Sequence, residues 1–208
     1  MKKLLNTIKR LRDSNIKSII DQRLGQFLEV GESSSEEIFI ELCFCILTAN
    51  CSAERCMEVQ LSVGKGFSTL SAQKLTNRLR KLGYRYPNVR SKYIVEARIY
   101  KDTIKDVIGA FDNSVDARAW LVKNIKGMGH KEASHFLRNI GFTDLAIIDF
   151  HIIDVLIRYG IIKRPKTLTR KRYFEIEDQL KMIARKSDLN LAELDLHLWY
   201  IETGKILK

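Results

Sequence analysis

The chain has 208 residues, with 36 Lys and Arg against 25 Asp and Glu, a formal net charge of +11, and 45% hydrophobic residues. That hydrophobic fraction is typical of a folded domain and excludes a disordered chain. The positive excess favours a polyanionic partner, first nucleic acid and second an anionic membrane surface, whereas a thermophilic surface usually adds charges of both signs.

Helical periodicity dominates the chain, and the alternation expected of strands is never sustained. The pattern therefore predicts an all-α protein of about ten helices. Ser33 to Ser35, followed by Glu36 and Glu37, offers a capping box before one of them. In chain order, the helices are expected near residues 2–28, 35–49, 52–62, 71–82, 90–109, 114–125, 130–140, 149–159, 169–186 and 190–202.

Neither a leader nor a membrane span is indicated. The basic N-terminal segment has apolar residues at helical spacing rather than in one run. The densest apolar run, residues 42–47, is too short to cross a bilayer. No cysteine lies in a CxxC pair and no histidine lies at zinc spacing, so we interpret the cysteines as reduced core residues of a cytoplasmic protein without a bound metal. They are Cys43, Cys45, Cys51 and Cys56.

Two segments, residues 74–92 and 163–172, carry many basic side chains and no acid. Each contains or borders on tyrosine and one of the two prolines, Pro87 and Pro165. A run of like charges is usually only a solvated face. Two acid-free runs in a chain of this charge nevertheless favour a surface that follows phosphates.

Residues 121–160 are the most informative segment. A helix is expected to end near Lys126, the tripeptide GMG at 127–129 gives a turn too tight for ordinary side chains, and a second helix begins near His130. Such a pair is a helix–hairpin–helix, here about 115–141, whose backbone N–H groups can approach a phosphate. From the turn alone, a plain corner between two helices is the alternative.

Lys131 falls in the first turn of that second helix, at the positive end of the helix dipole, where a cation is disfavoured. Near other positive charges or partly desolvated, its amine should lose a proton more readily than a free lysine. The neutral amine is the form that Schiff-base chemistry requires. The other interpretation of this spacing is an exposed lysine that contacts a DNA phosphate or solvent.

Asp149 lies in AIIDFHII, among apolar residues that should be buried. Its carboxylate can cap the helix that follows, and it can also face a cationic transition state; the two roles are compatible. His130 and His151 do not pair at metal-ligand spacing, so both are interpreted as structural or DNA-facing groups.

The segments GMGHKEA and AIIDFH, which place Asp149 eighteen residues after Lys131, resemble the motif of the helix–hairpin–helix DNA glycosylase superfamily. Four further segments resemble the archaeal-type 8-oxoguanine DNA glycosylase/AP lyase branch, so the resemblance extends nearly end to end. They are ELCFCILTANCSAE (41–54), GYRYPNVRSKYIVEAR (83–98), IKGMGHKEASHFLRN (125–139) and LDLHLWYIETGKILK (194–208).

The resemblance implies a role for each matching residue. It implies Lys131 as the nucleophile and Asp149 as the catalytic carboxylate. It also implies contacts to a flipped base and to the DNA backbone. The base contacts would be Lys208, Trp199 and Tyr86, and the backbone contacts Gly127, Gly129 and His130. No cofactor is required, although an alkali cation can accompany such a hairpin.

The implied architecture is two helical subdomains with the active-site cleft between them. One subdomain would span 33–142 and the other would combine 1–32 with 143–208. The implied protein is a monomeric bifunctional enzyme of the prokaryotic cytoplasm and nucleoid. It would excise 8-oxoguanine from duplex DNA and nick the strand by β-elimination through a lysine Schiff base.

Two alternatives stay open from the residues themselves: a glycosylase of the same fold for another damaged or mismatched base, and a non-catalytic helix–hairpin–helix DNA-binding module. The hairpin disfavours a membrane-surface or RNA-binding protein. The chain also departs from the branch. Phe150 stands where Arg or Lys is usual, Tyr86 stands where another aromatic residue is commoner, and no cysteine follows Cys56, which excludes the four-cysteine iron–sulfur loop of related enzymes.

Overall fold

The computed structural model describes residues 1–208 as thirteen α-helices and one 3₁₀ turn at Arg98–Tyr100, without a strand. The all-α prediction is therefore confirmed. No helix combines the length and the apolar character needed to cross a membrane. The helices are α1 Lys2–Arg12, α2 Ile16–Glu32, α3 Ser35–Thr48, α4 Ala53–Val63, α5 Gly66–Thr69, α6 Ala72–Lys81, α7 Pro87–Ala97, α8 Ile104–Gly109, α9 Ser114–Asn124, α10 His130–Asn139, α11 Phe150–Arg158, α12 Arg170–Lys186 and α13 Leu191–Thr203.

Two predicted helices are wrong, and the first of them is the single helix over 2–28. It is divided into α1 and α2 at residues 13–15. The Ser14 hydroxyl donates to the carbonyl of Leu11 at 2.7 Å and accepts from the N–H of Ile16 at 3.2 Å. The side chain thereby takes backbone groups that a continuous helix would pair, which ends one helix and starts the next.

The second error is the single helix predicted over 90–109. Helix α7 begins earlier, at Pro87, because proline lacks the N–H that the first helical position leaves unpaired anyway. It ends at Ala97, and the 3₁₀ turn separates it from α8. The four-residue helix α5 was not predicted, since one turn is too short to show periodicity.

Apolar side chains form three separate clusters. The largest has 27 buried residues between Ile38 and Leu145, and the second has 16, drawn from α1 and from residues 146–198. A third, of four residues, packs α2 against α13 through Phe27 and Leu196. The division of the chain into one subdomain of residues 33–142 and another of residues 1–32 and 143–208 stays a prediction.

All four cysteines are free. Cys43, Cys45 and Cys56 are buried in the largest cluster, where burial is the main cause that raises the pKa of the Cys43 and Cys45 thiols. Cys51 is only half-buried, so the core interpretation is wrong for this residue.

A buried ion pair joins α9 to α12. Arg118 donates from Nη1 and Nη2 to the two carboxylate oxygens of Glu177, at 2.7 and 3.0 Å, and the two side chains are 2% and 1% exposed. Glu177 also accepts the N–H of Ala146 at 3.0 Å. Burial acts to raise the pKa of Glu177, but the hydrogen bonds from Arg118 and Ala146 outweigh it and the pKa is lowered.

We expect Glu177→Ala to destabilise the fold by about 3–5 kcal/mol, because it leaves the Arg118 guanidinium buried and unpaired. Urea unfolding followed by circular dichroism measures the free energy of unfolding. The matched control on the same helix is Glu175→Ala, which removes a half-exposed pair with Arg172 and should cost less than about 1 kcal/mol. An equal loss of unfolding free energy in the two variants would show that the buried pair stabilises the fold no more than the half-exposed one.

Candidate active site

The turn between α9 and α10 requires glycine at position 127. Gly127 has φ +86°, a region that other residues rarely adopt. A Cβ atom there would lie 2.5 Å from the Tyr93 ring and 2.7 Å from Arg90 Nη1. At Gly129 the backbone is extended, and its N–H donates to Oε2 of Glu132 at 3.1 Å. The hairpin is thus tight for reasons of both conformation and space.

Lys131 lies in the first turn of α10, beside Glu132. Its Nζ is 3.1 Å from Oε1 of Glu132, and its side chain is 23% exposed. The other oxygen of Glu132 holds the Gly129 N–H, so the hairpin itself fixes this carboxylate. The amine is therefore partly desolvated, as expected, but it has a carboxylate partner that the sequence interpretation did not include.

Asp149 is the N-cap of α11, where its Oδ1 accepts the N–H of Ile152 at 2.9 Å. The predicted capping role is confirmed. Burial is the main cause that raises the pKa of Asp149, against the lowering effects of the Ile152 hydrogen bond and the positive charge of Lys131. The carboxylate is therefore held by the helix in a poorly solvated position near a cation.

Four of the predicted site residues line one cavity of about 830 Å³, which is large enough for a nucleobase and its sugar. They come from α10, from the start of α11, from α13 and from the last residue of the sequence. They are Lys131, Asp149, Trp199 and Lys208. Residues far apart in sequence thus meet at one concave surface.

The other predicted contacts lie outside the cavity wall. Tyr86 is half-buried against the largest apolar cluster, with the guanidinium of Arg85 5.1 Å above its ring. His130 packs against Tyr173 and Phe174, at ring-centroid distances of 5.6 and 5.2 Å. Burial, followed by the nearby arginines, lowers the pKa of His130. Arg85, rather than Tyr86, lines the cavity.

Lys208 is held in place by its ammonium group. Its Nζ donates to Oε2 of Glu41 at 2.7 Å and to Oε1 of Gln60 at 2.5 Å, and it lies 4.4 Å from the centre of the Phe44 ring. Glu41 is only 4% exposed and also accepts from Asn139 at 2.6 Å. Because these partners occupy the side-chain amine, the terminal segment is fixed against the cavity wall.

Several cavity-lining residues were missed by the sequence interpretation, among them His135, Arg138 and Asp195. His135 and Arg138 follow Lys131 by four and seven positions, so they share its helix face, and that spacing was visible. Asp195 could not be identified from the sequence, because its partner Arg138 lies 57 residues earlier in the chain. In the folded protein, Nη1 of Arg138 donates to Oδ2 of Asp195 at 2.5 Å. Burial, with the neighbouring Asp149 adding to it, raises the pKa of Asp195 to about 6, although Arg138 opposes the shift.

Two buried ring nitrogens in this wall have no hydrogen-bond partner within the protein, Nε2 of His135 and Nε1 of Trp199. Burial, then the charges of Arg138, Lys131 and Lys208, keeps the pKa of His135 well below its ordinary value, so its ring is neutral. Unpaired buried polar atoms are costly and rare in folded proteins. Their position in the cavity is suited to a ligand with hydrogen-bonding edges.

Comparison with known proteins agrees with this geometry. Residues 20–189 match the family model described as 8-oxoguanine DNA glycosylase. The chain is 51% identical over 206 residues to the 8-oxoguanine DNA glycosylase/AP lyase of Korarchaeum cryptofilum, covering 99% of this chain and 98% of that protein. It is 50% identical to the Methanocaldococcus jannaschii protein of the same name, covering 99% of each.

A solved structure extends the likeness to the fold. The crystal structure of the M. jannaschii glycosylase/lyase in complex with a 15-mer DNA containing 8-oxoguanine aligns with a TM-score of 0.96 at 49% identity, covering 99% of this chain and all of that one. Both the length matched and the identity are far above what a shared fold alone would give. The chain belongs to the 8-oxoguanine DNA glycosylase family.

Proposed function

We propose that this protein excises 8-oxoguanine from duplex DNA and then cleaves the strand as an AP lyase. The observation that carries the proposal is the meeting of the Lys131 amine and the Asp149 carboxylate in one cavity of nucleobase size. An amine and a buried carboxylate are the two groups that base removal through a covalent sugar adduct requires. Membership of the family supports the assignment.

The damaged nucleotide enters the cavity by leaving the duplex, since its glycosidic bond cannot be reached inside the base stack. The unpaired ring nitrogens of His135 and Trp199 supply hydrogen-bonding positions for the polar edges of the base. Trp199 also offers a ring face. We keep Tyr86 as a proposed base contact, since its neighbour Arg85 lines the cavity.

Lys131 attacks C1′ of the flipped nucleotide through its neutral amine. The C–N bond to the base breaks and the base leaves with the bonding electron pair, which a proton then neutralises. Loss of an amine proton and opening of the sugar at O4′ give the protonated imine. Removal of a C2′ proton then expels the 3′ phosphate and breaks the strand. Glu132, 3.1 Å from Nζ, is positioned to take the proton that the amine must lose first.

Asp149 stabilises the positive charge that develops on the sugar as the base leaves. Its cap hydrogen bond uses Oδ1, which leaves Oδ2 for the reacting centre. A fixed carboxylate in a poorly solvated site interacts more strongly with a cation than one in water, because the local dielectric is low. Neither step requires a cofactor.

The hairpin and its surroundings are proposed to hold the DNA backbone through Gly127, Gly129 and His130. His130 would act as a neutral hydrogen-bond donor, since its pKa is lowered. The hairpin is also proposed to accept an alkali cation, since the Gly127 carbonyl has two lone pairs and accepts only one long bond from Arg90 Nη1, at 3.5 Å. The basic segments 74–92 and 163–172 are largely exposed, as a surface that follows phosphates requires. We place the working enzyme, as a monomer, on the nucleoid.

The test is a lesion panel. Duplexes with one 8-oxoguanine, one oxidised pyrimidine, one mismatch or no lesion are incubated with excess protein, and base release and strand cleavage are followed separately. Rapid release and cleavage at 8-oxoguanine alone is the expected result. Faster excision of another lesion would show that the protein is the alternative glycosylase of the same fold. Binding to the duplexes without release of any base would indicate the non-catalytic DNA-binding module.

Lys208→Ala should slow excision of 8-oxoguanine by about 10²- to 10⁴-fold, because each hydrogen bond to a charged group is worth about 1.5–3 kcal/mol and two such bonds anchor the terminal segment. Cleavage at a preformed abasic site should change much less, since no base has to be recognised there. Single-turnover rates on the two substrates measure the difference. Lys186→Ala, an exposed lysine on α12, is the matched control; an equal fall on both substrates would contradict a role in base recognition.

A further inference from the structure

Phe150 is a large apolar side chain left exposed at the edge of the active-site cavity. It is the first residue of α11, directly after Asp149, and it is 64% exposed although it lines the same cavity. Asp149, by contrast, is mostly buried. Adjacent residues thus mark the inside and the mouth of the cavity.

The Phe150 ring begins a column of three aromatic rings. Its centroid is 3.9 Å from that of His151, with the planes tilted by 38°. The His151 ring lies 4.5 Å from Trp199, nearly edge-on at 70°. All three line the cavity, so the column extends from the mouth toward the interior. The outer ring, that of Phe150, contacts His151 and leaves most of its surface open to solvent.

The side chains around this open face are suited to nucleic acid rather than to a protein partner. Arg85 and Lys205 also line the cavity and are exposed. Lys205 also pairs with Glu54 at 2.9 Å, whereas Arg85 has no carboxylate partner. Exposed cations of this kind bind phosphates, and nucleobases of any sequence stack on aromatic side chains. A stacking contact of this kind raises the affinity for DNA without changing how the affinity depends on salt concentration.

We propose that Phe150 stacks on the nucleobase that flanks the flipped nucleotide on the same strand. The inference rests on the proposed function, since it requires a flipped nucleotide. With Asp149 at the sugar of that nucleotide, the next residue, at the mouth of the cavity, meets a base that stays in the duplex. That base has lost one stacking partner, and the Phe150 ring replaces it.

The first test measures binding to a duplex carrying tetrahydrofuran, a stable abasic analogue, by fluorescence anisotropy over a range of salt concentrations. Phe150→Ala should bind about tenfold more weakly, and Phe150→Leu nearly so, because neither has a ring face. Phe150→Trp should bind at least as tightly as wild type. The slope of log K against log salt should not change in Phe150→Ala, but Phe150→Lys should steepen it by about one. Wild-type affinity in Phe150→Ala, or a loss confined to the slope, overturns the proposal.

A second test identifies the base by removing it from the DNA. When the flanking base on the lesion strand is also replaced by tetrahydrofuran, the difference between wild type and Phe150→Ala should disappear. When only the base opposite the lesion is removed, the difference should persist. Persistence in both duplexes, or disappearance only in the second, overturns the proposal.

Two controls separate this inference from the proposed function. The melting temperature of Phe150→Ala should equal that of wild type, because the side chain is mostly exposed. Borohydride trapping of wild type on an 8-oxoguanine duplex is measured in parallel. If the wild-type protein forms the trapped adduct and Phe150→Ala keeps full affinity for the duplex, only the stacking contact is refuted. If the wild-type protein never forms the adduct, the proposed function is refuted.

Discussion

Lys131→Gln is expected to abolish both base release and strand cleavage at 8-oxoguanine, with single-turnover rates falling by about 10⁴-fold or more. The glutamine amide has a similar length but no nucleophilic lone pair. Because one amine performs attack and imine formation, both products should be lost together. Gel-resolved rates on a single-lesion duplex measure them.

The matched control is Lys126→Gln, five residues earlier, whose exposed ammonium pairs with Glu96 at 3.0 Å outside the cavity. This variant should keep its rates within a few-fold of wild type. Lys131→Gln should still bind the duplex, since the hairpin and the basic segments are unchanged. Continued base release by Lys131→Gln without strand cleavage would show that another nucleophile, such as water, removes the base.

Asp149→Asn should slow base release by about 10²- to 10⁴-fold while leaving folding and duplex binding intact. Asparagine caps a helix about as well as aspartate, so the hydrogen bond to Ile152 can persist in the variant. What the substitution removes is the negative charge beside the sugar. Single-turnover excision, thermal melting and duplex affinity together separate the two roles.

The pH dependence provides a second readout for Asp149. Burial raises the pKa of this carboxyl, and only the ionised form stabilises a cation. The rate should therefore fall as pH falls through the raised pKa, at a higher pH than a free aspartate would give, and Asp149→Asn should lack this acid limb.

The control is Asp154→Asn, on the same helix, whose side chain pairs with Arg164 outside the cavity. This variant should keep both the wild-type rate and the fall of the rate at low pH. Loss of folding in Asp149→Asn with no separate effect on chemistry would reduce Asp149 to a helix cap.

The sequence predicted the local structure well where the signal is periodic. Helices α9 to α13 end within a residue of their predicted ends, and all but α10 begin at a side-chain cap such as Asp149 or Thr169. The errors fall where single side chains redirect the backbone. Ser14 interrupts a regular apolar pattern, and periodicity cannot register such a break.

The cavity was predicted only in part, for a physical reason. Motif spacing indicated Lys131 and Asp149, but the groups that set their surroundings come from distant segments. Glu41 reaches Lys208 across 167 residues, and Asp195 reaches Arg138 across 57. Contacts of this kind depend on how the helices pack, which one sequence does not specify. Glu132 is the exception, since its spacing from Gly129 fits a cap and its contact with Lys131 follows.

Borohydride trapping shows whether base removal passes through a covalent adduct between the sugar and Lys131. Wild-type protein is incubated with an 8-oxoguanine duplex and sodium borohydride, and the adduct is digested and mapped by mass spectrometry. We expect one protein–DNA adduct per lesion, with the sugar attached to Nζ of Lys131 and no adduct in Lys131→Gln. Attachment at another residue, or strand cleavage by wild type with no adduct at all, would contradict this mechanism.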